Sequence, residues 1–183
     1  MVITMKQRIR HLILFIILVA IDQVSKYWVR TYLSVHGPIN IIPTVLSLEY
    51  HTNNGAVWGT FSGKVAALRI LTVIIFLLIL FLYFKIPKDK KYTPLKILAV
   101  FIMAGAIGNL IDRIYLGYVV DFIYFEVINF PLFNFADSCL TVSCILLLIL
   151  ALFYYKDQDF DFIDDLLPKR KKKPTDDNDK NEP

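Results

Sequence analysis

Residues 65–84 read VAALRILTVIIFLLILFLYF, twenty positions with a single charge, Arg69. At about 1.5 Å of rise per residue, a helix of that length covers roughly 30 Å, the thickness of a bilayer's hydrocarbon core. A run so long and so poor in charge places the chain in a membrane. Three other stretches have the same character: Leu12–Val29, Ile97–Arg113 (uncharged until Asp112) and Ser138–Tyr155, which has no charge at all. Composition agrees, with 56% of the 183 residues hydrophobic and 20% charged; soluble domains average about 45–50% apolar. This excludes a disordered chain and an ordinary cytosolic enzyme. The two cysteines, Cys139 and Cys144, both fall in the last run, which excludes a disulfide scaffold and a zinc spacing and suits inert packing.

The first run follows Lys6, Arg8 and Arg10, as a signal peptide would. No small-residue cleavage site follows, and the run continues through Asp22 and Lys26 to the interfacial pair Tyr27-Trp28, so it reads as an uncleaved span. Lys and Arg then set the orientation. Residues 1–11 carry three, 85–96 five and 156–183 seven, against Arg30 and Lys64 in the 30–64 loop and none between 114 and 136. Basic loops stay in the cytoplasm, so both termini are expected there and the 30–64 and 114–136 loops outside. The net charge of +4 therefore speaks for membrane orientation and against a nucleic-acid partner.

The outer loops carry strand patterns. Apolar and polar residues alternate over Leu46–His51, and Val119–Tyr124 and Phe125–Phe130 are aromatic and β-branched. The expected fold is an all-α transmembrane four-helix bundle with a small β-rich extracytoplasmic element built from the two outer loops. Residues 1–156 form the membrane domain, and 157–183, with Lys169–Lys173, form a charged cytoplasmic tail without fixed structure. The basic cluster serves as an orientation signal or a contact for anionic lipid.

Ionisable groups in spans are costly and face a bundle interior or a wet cavity. Here they gather at one side: Asp22 and Lys26 end the first span, Arg69 starts the second, Asn109, Asp112 and Arg113 close the third, and Asn134 and Asp137 open the fourth. In an alternating topology all of these lie at the outer face, while the inner halves are almost purely apolar. A small four-helix transporter or ion-coupled carrier, the alternative function, wants polar groups at the midplane, and a non-catalytic assembly protein would leave the carboxylates dispensable. Plainer roles exist for each residue. Asp22 and Lys26, spaced i,i+4, can pair along one helix face. Asn134 and Asp137 can cap a helix. Asp121 can be a solvated loop carboxylate, Arg113 can snorkel or neutralise Asp112, Asn54-Gly55 can be a turn, and Ala104 with Gly108 can serve close packing. His36 and His51 have no metal-ligand spacing and read as surface residues. Ser25-Lys26 suggests a Ser/Lys peptidase, but adjacent helical side chains diverge, and a Lys26 matched by Asp22 is a poor base.

Four blocks in order carry a resemblance: Asp22-Gln23-Val24-Ser25-Lys26; Asn54-Gly55-Ala56-Val57-Trp58-Gly59; Gly108-Asn109-Leu110-Ile111-Asp112-Arg113 followed by Val119-Val120-Asp121-Phe122; and Phe133-Asn134-Phe135-Ala136-Asp137. Over residues 10–156 the chain resembles the lipoprotein signal peptidases (signal peptidase II), bacterial integral-membrane aspartyl endopeptidases. The resemblance implies removal of signal peptides from prolipoproteins, with cleavage before a diacylglyceryl-modified cysteine, and inhibition by the lipopeptide globomycin. It implies a catalytic pair, Asp121 and Asp137. Asn54, Gly55, Asn109, Arg113 and Asn134 would line or support the substrate site, and Asp22, Lys26 and Asp112 would support it structurally. No metal or organic cofactor is implied; the expected partners are the lipid-modified prolipoprotein and membrane lipid, and the chain is expected to act as a monomer. Two neighbouring carboxylates sharing one proton suit such a hydrolysis, one activating water and the other polarising the scissile carbonyl. Sequence does not say which aspartate holds that proton.

Overall fold

The computed structural model describes residues 5–55 and 65–164. Four helices have the length and hydropathy to cross a membrane: α1 (Met5–Trp28), α2 (Val65–Lys85), α3 (Thr93–Tyr115) and α4 (Phe135–Phe153). Helix α1 begins before the expected Leu12, taking Lys6, Arg8 and Arg10 into its first turns. It runs on through a π-helical turn, Val29–Leu33, and a last turn, Ser34–His36, before Gly37 (φ 81°) releases the chain. Helix α3 has Pro94 in its first turn, where a missing N–H is harmless. Helix α4 starts at Phe135 rather than Ser138 because Asn134 caps it. The Asn134 side chain accepts from the Asp137 N–H at 2.9 Å, and the Asp137 carboxylate accepts from the Asn134 N–H at 3.2 Å.

Helix α3 is the central element, packed against α1, α2 and α4 and buried along much of its length. Its small residues permit this. A Cβ on Gly105 would lie 2.5 Å from the Ala136 carbonyl oxygen of α4, and one on Gly108 would lie 2.5 Å from the Asp22 carboxylate of α1. Backbones that approach so closely leave room for glycine alone. Leu18, Val100, Met103, Ala104 and Cys139 form the core where α1, α3 and α4 meet. Large apolar side chains on the outer faces, such as Ile13 and Ile17 on α1, Ile74 and Leu78 on α2, and Ile145 and Leu148 on α4, are exposed, as suits helices solvated by lipid tails.

At one end sits an antiparallel sheet of order β1-β2-β3: β1 (Ile39–Ile42), β2 (Leu46–Asn53) and β3 (Val119–Phe125). It closes on the end of α1, where Val29 and Leu33 are buried with Val120 and Phe122. The strand expected over Phe125–Phe130 does not form. Glu126–Ile128 is a 3-10 turn, and Asn129 adopts a left-handed conformation (φ 47°) while its side chain accepts from the Tyr124 hydroxyl. The chain thus doubles back, with the Phe130 N–H donating to the Phe125 carbonyl.

At the other end, residues 157–164 form short helical turns instead of beginning an unstructured tail. Tyr92, Tyr155, Phe160 and Phe162 pack as an aromatic cluster, and Lys91 pairs with Asp159, which fixes these turns to the loop before α3. Burial of aromatic surface offsets the ordering entropy that composition alone suggested would win. Lys169–Lys173 lie outside the described residues.

Candidate active site

The polar residues gather in two connected layers at the sheet end of the bundle. The deeper layer is built on the i,i+4 spacing of Asp22 and Lys26, which aims both at α3. The Lys26 ammonium lies 2.9 Å from Asp22 and 3.2 Å from Asp112, and all three side chains are buried. Gln23 donates to Asp22 (3.0 Å), Asp112 (3.2 Å) and the Gly108 carbonyl (3.0 Å). Each carboxylate also grips backbone elsewhere. Asp112 accepts from the Val120 N–H at 3.0 Å, and Asp22 accepts from the Ala136 N–H at 2.9 Å. Each hold falls on the residue immediately before a candidate catalytic aspartate. Arg113 is therefore not the partner of Asp112. It donates instead to the carbonyls of Gly55 (3.3 Å) and Asn109 (3.5 Å).

The upper layer holds the two aspartates. Asn109 accepts at its side-chain oxygen from Lys26 (2.8 Å) and from the Asn134 amide (3.1 Å), which leaves its own NH₂ directed at Asp137, 2.7 Å away. Asn134 donates to Asp121 at 2.7 Å while capping α4 through Asp137. One asparagine thus touches both carboxylates. The remaining oxygen of Asp121 accepts from Asn53 at 2.9 Å. Asp121 is 2% exposed, and burial together with the nearby Asp137 charge pushes its carboxyl up to about 7 from an ordinary 3.8.

Both aspartates line a cleft of about 1100 Å³ with Asn109, Arg113 and His51. Its walls include Thr72 and Ile75 of α2 and Leu140 and Thr141 of α4, so it opens between those helices. Phe130, Pro131 and Leu132 border it from the doubled-back segment. Among the described residues no group of three His, Cys, Asp or Glu side chains is placed to hold a metal ion.

Of the residues singled out from sequence, Asp121, Asp137, Asn109, Asn134, Asp112, Asp22 and Lys26 are joined in one hydrogen-bonded network. Asn54 is exposed at the cleft, and the amide that reaches Asp121 is that of Asn53, whose oxygen also accepts from the Gly55 N–H at 2.9 Å. Extending the polar alternation Ser47, Glu49, His51 by one more step would have found Asn53. His51, expected as a plain surface residue, borders the cleft. Residues 56–59 of the second sequence block lie outside the described residues.

The match to known proteins runs through this network. Residues 14–153 match the family model described as signal peptidase (SPase) II. The chain belongs to the signal peptidase II family. Lipoprotein signal peptidases of Staphylococcus aureus strains JH9 and Newman are each 42% identical to it over 144 residues, covering 77% of this chain and 86% of theirs. Two solved structures, both described as a bacterial membrane enzyme studied by the in meso method, are similar throughout. One (2.3 Å resolution) has a TM-score of 0.68 at 32% identity, covering 91% of this chain and 94% of that one. The other (1.9 Å) has a TM-score of 0.69 at 37% identity, covering 80% and 94%. Membership of the signal peptidase II family makes this chain a bacterial multi-pass membrane protease, and the family's work is removal of signal peptides from prolipoproteins.

The raised Asp121 carboxyl has a thermodynamic consequence. A group that holds its proton more tightly in the folded state contributes stability fully present below its unfolded value, near 3.8, and lost as pH rises through about 7. Asp121→Asn removes that loss. The variant is expected to unfold at a higher temperature than the parent at pH 8 and to gain little at pH 4, as followed by thermal denaturation in detergent. An equal shift at both pH values would contradict the assignment.

Proposed function

We propose that the chain is an aspartyl endopeptidase that cuts prolipoproteins immediately before the diacylglyceryl-modified cysteine, using a water activated between Asp121 and Asp137. The observation that carries this is the bridge through Asn134, whose side-chain amide donates to the Asp121 carboxylate and whose backbone N–H donates to that of Asp137, with both carboxylates lining one cleft. The two carboxylates share one proton, because both cannot ionise cheaply side by side. Asn134 and Asn53 hold Asp121, and Asn109, whose oxygen accepts from Lys26, holds Asp137. The ionised member takes a proton from water as the oxygen attacks the scissile carbonyl, and the protonated member donates to that carbonyl oxygen. On collapse of the tetrahedral intermediate the first carboxyl passes its proton to the departing amine, and the second takes one back as the product carbonyl re-forms. Asn109, Asn134 and Asn53 hold the two carboxylates in place, Arg113 secures the chain at Gly55, and the Asp22–Lys26–Asp112 layer supports the floor.

The sheet end is the extracytoplasmic one. Lys6, Arg8, Arg10 and the basic 85–96 loop lie toward the opposite end, and the tendency of basic segments to stay inside supports a cytoplasmic side for that end and for both termini. The substrate's acyl chains remain in lipid while its peptide bond reaches the cleft. The enzyme acts as a monomer and without a cofactor.

The test is cleavage of a synthetic prolipoprotein by the purified full chain, with and without the diacylglyceryl group on its cysteine. Cutting of the lipid-modified form alone, sensitive to globomycin and unaffected by a chelator, is expected. Equal cutting of both forms would overturn the substrate assignment, and loss of activity with the chelator would overturn the mechanism.

A further inference from the structure

At the end of the bundle away from the sheet lies a group of charges that the peptidase site does not use. Lys96, in the first turns of α3, is 2% exposed, and its ammonium donates to the Pro87 carbonyl at 2.7 Å. An ammonium carries three donors and a full charge, and burying it without a counter-charge is costly. Its charged neighbours are cations too: Arg8 from α1 and Lys88 from the loop after α2. His11, whose ring nitrogen lies 2.8 Å from the Tyr83 hydroxyl, faces the same group. Among the described residues, no carboxylate pairs with Lys96, Arg8 or Lys88. The contrast with the other buried lysine is direct, since Lys26 has two carboxylates within 3.2 Å.

We propose that Arg8, Lys88 and Lys96 bind the phosphate of an anionic glycerophospholipid in the adjacent leaflet. Arg8 and Lys88, from two other segments, are the charged groups that act on the buried Lys96, and an anion held beside Lys96 would offset the repulsion among the three, at the level where a spanning helix leaves the hydrocarbon. The surroundings select a lipid over a soluble phosphate. The Arg8 guanidinium stands 5.8 Å from the centre of the Phe84 ring, and Phe84, Phe81 and Leu12 are exposed on the spanning helices beside it. A headgroup at Arg8 would lay its acyl chains along these side chains. The site is at the opposite end of the molecule from the aspartates, so its failure would leave the peptidase reading untouched.

The experiment uses the full chain in nanodiscs of mixed phosphatidylglycerol and phosphatidylcholine, with retained lipid counted by native mass spectrometry. Wild-type protein is expected to retain phosphatidylglycerol about tenfold over phosphatidylcholine. The Arg8→Ala, Lys88→Ala double variant alters only exposed residues, and most of that preference should vanish in it. Lys96→Met should do the same, and if that variant does not fold, the exposed pair still decides. The basic cluster at Lys169–Lys173 is present in every protein compared, so it adds a shared background. Preference unchanged in the double variant, or equal retention of the two lipids by wild type, would overturn the proposal. So would displacement of phosphatidylglycerol by millimolar inorganic phosphate, which would make the ligand a soluble anion.

Discussion

Asp121→Asn and Asp137→Asn are each expected to lower turnover of a lipid-modified prolipoprotein by about 10²–10⁴-fold, the range for loss of a positioned acid or base. The double variant should be barely worse than either single one. In the proposed cycle acid and base act on the same peptide bond, so removing one leaves the other with nothing to complete. Both variants should still insert and bind substrate, because asparagine keeps the volume and one acceptor of each carboxylate. Asp137→Asn retains a side-chain oxygen for the α4 cap, and Asp121→Asn retains one for the Asn134 amide. Single-turnover cleavage alongside substrate-binding measurements separates chemistry from binding. Appreciable turnover by the double variant would remove the aspartyl mechanism outright.

Lys26→Met should be the most damaging single change to the scaffold. It leaves Asp22 and Asp112 buried beside one another without the cation that both contact, a situation that costs about 3–5 kcal/mol when one partner of a buried pair is removed. Each carboxylate also holds the backbone next to a proposed catalytic aspartate, so the loss should reach activity as well as stability. Removing the charge of Asp22 too, as Lys26→Met with Asp22→Asn, should recover part of the lost stability. A thermal-denaturation cycle in detergent reads this directly. Additive penalties would show that the contact between the two charges carries no coupling.

The spans were legible because hydropathy over twenty residues is a strong signal that tertiary context rarely reverses. Their ends were less so, since the start of α4 depends on a cap. Asn134 and Asp137 offered a helix cap or a catalytic role as competing readings, and the structure shows the cap and the contact with Asp121 made by the same asparagine. Spacing along one chain could not reveal this, because Asp121 arrives from β3. The Asp22–Lys26 pair was visible as an i,i+4 pattern, whereas Asp112 as the second partner depended on how α1 and α3 cross. Strand β1 escaped notice for a different reason: four residues on an exposed edge, Ile39–Ile42, carry too little alternation to stand out. The misread Phe125–Phe130 segment had strand-forming side chains, but the left-handed turn at Asn129 outweighed them. Ionisable residues confined to the ends of apolar spans made the site's location readable, and its internal wiring came only with the fold.

The cleft opens between α2 and α4, helices whose outer faces are clothed in leucine, isoleucine and phenylalanine. Its mouth therefore faces sideways, toward molecules already dissolved in the same bilayer. For such an enzyme encounter is a two-dimensional search, and the quantity that sets its saturation is mole fraction in the membrane rather than molarity in the surrounding water. Diluting substrate with inert lipid would slow it even while every bulk concentration stayed fixed. Membrane area thereby becomes a control on the rate at which signal peptides are removed.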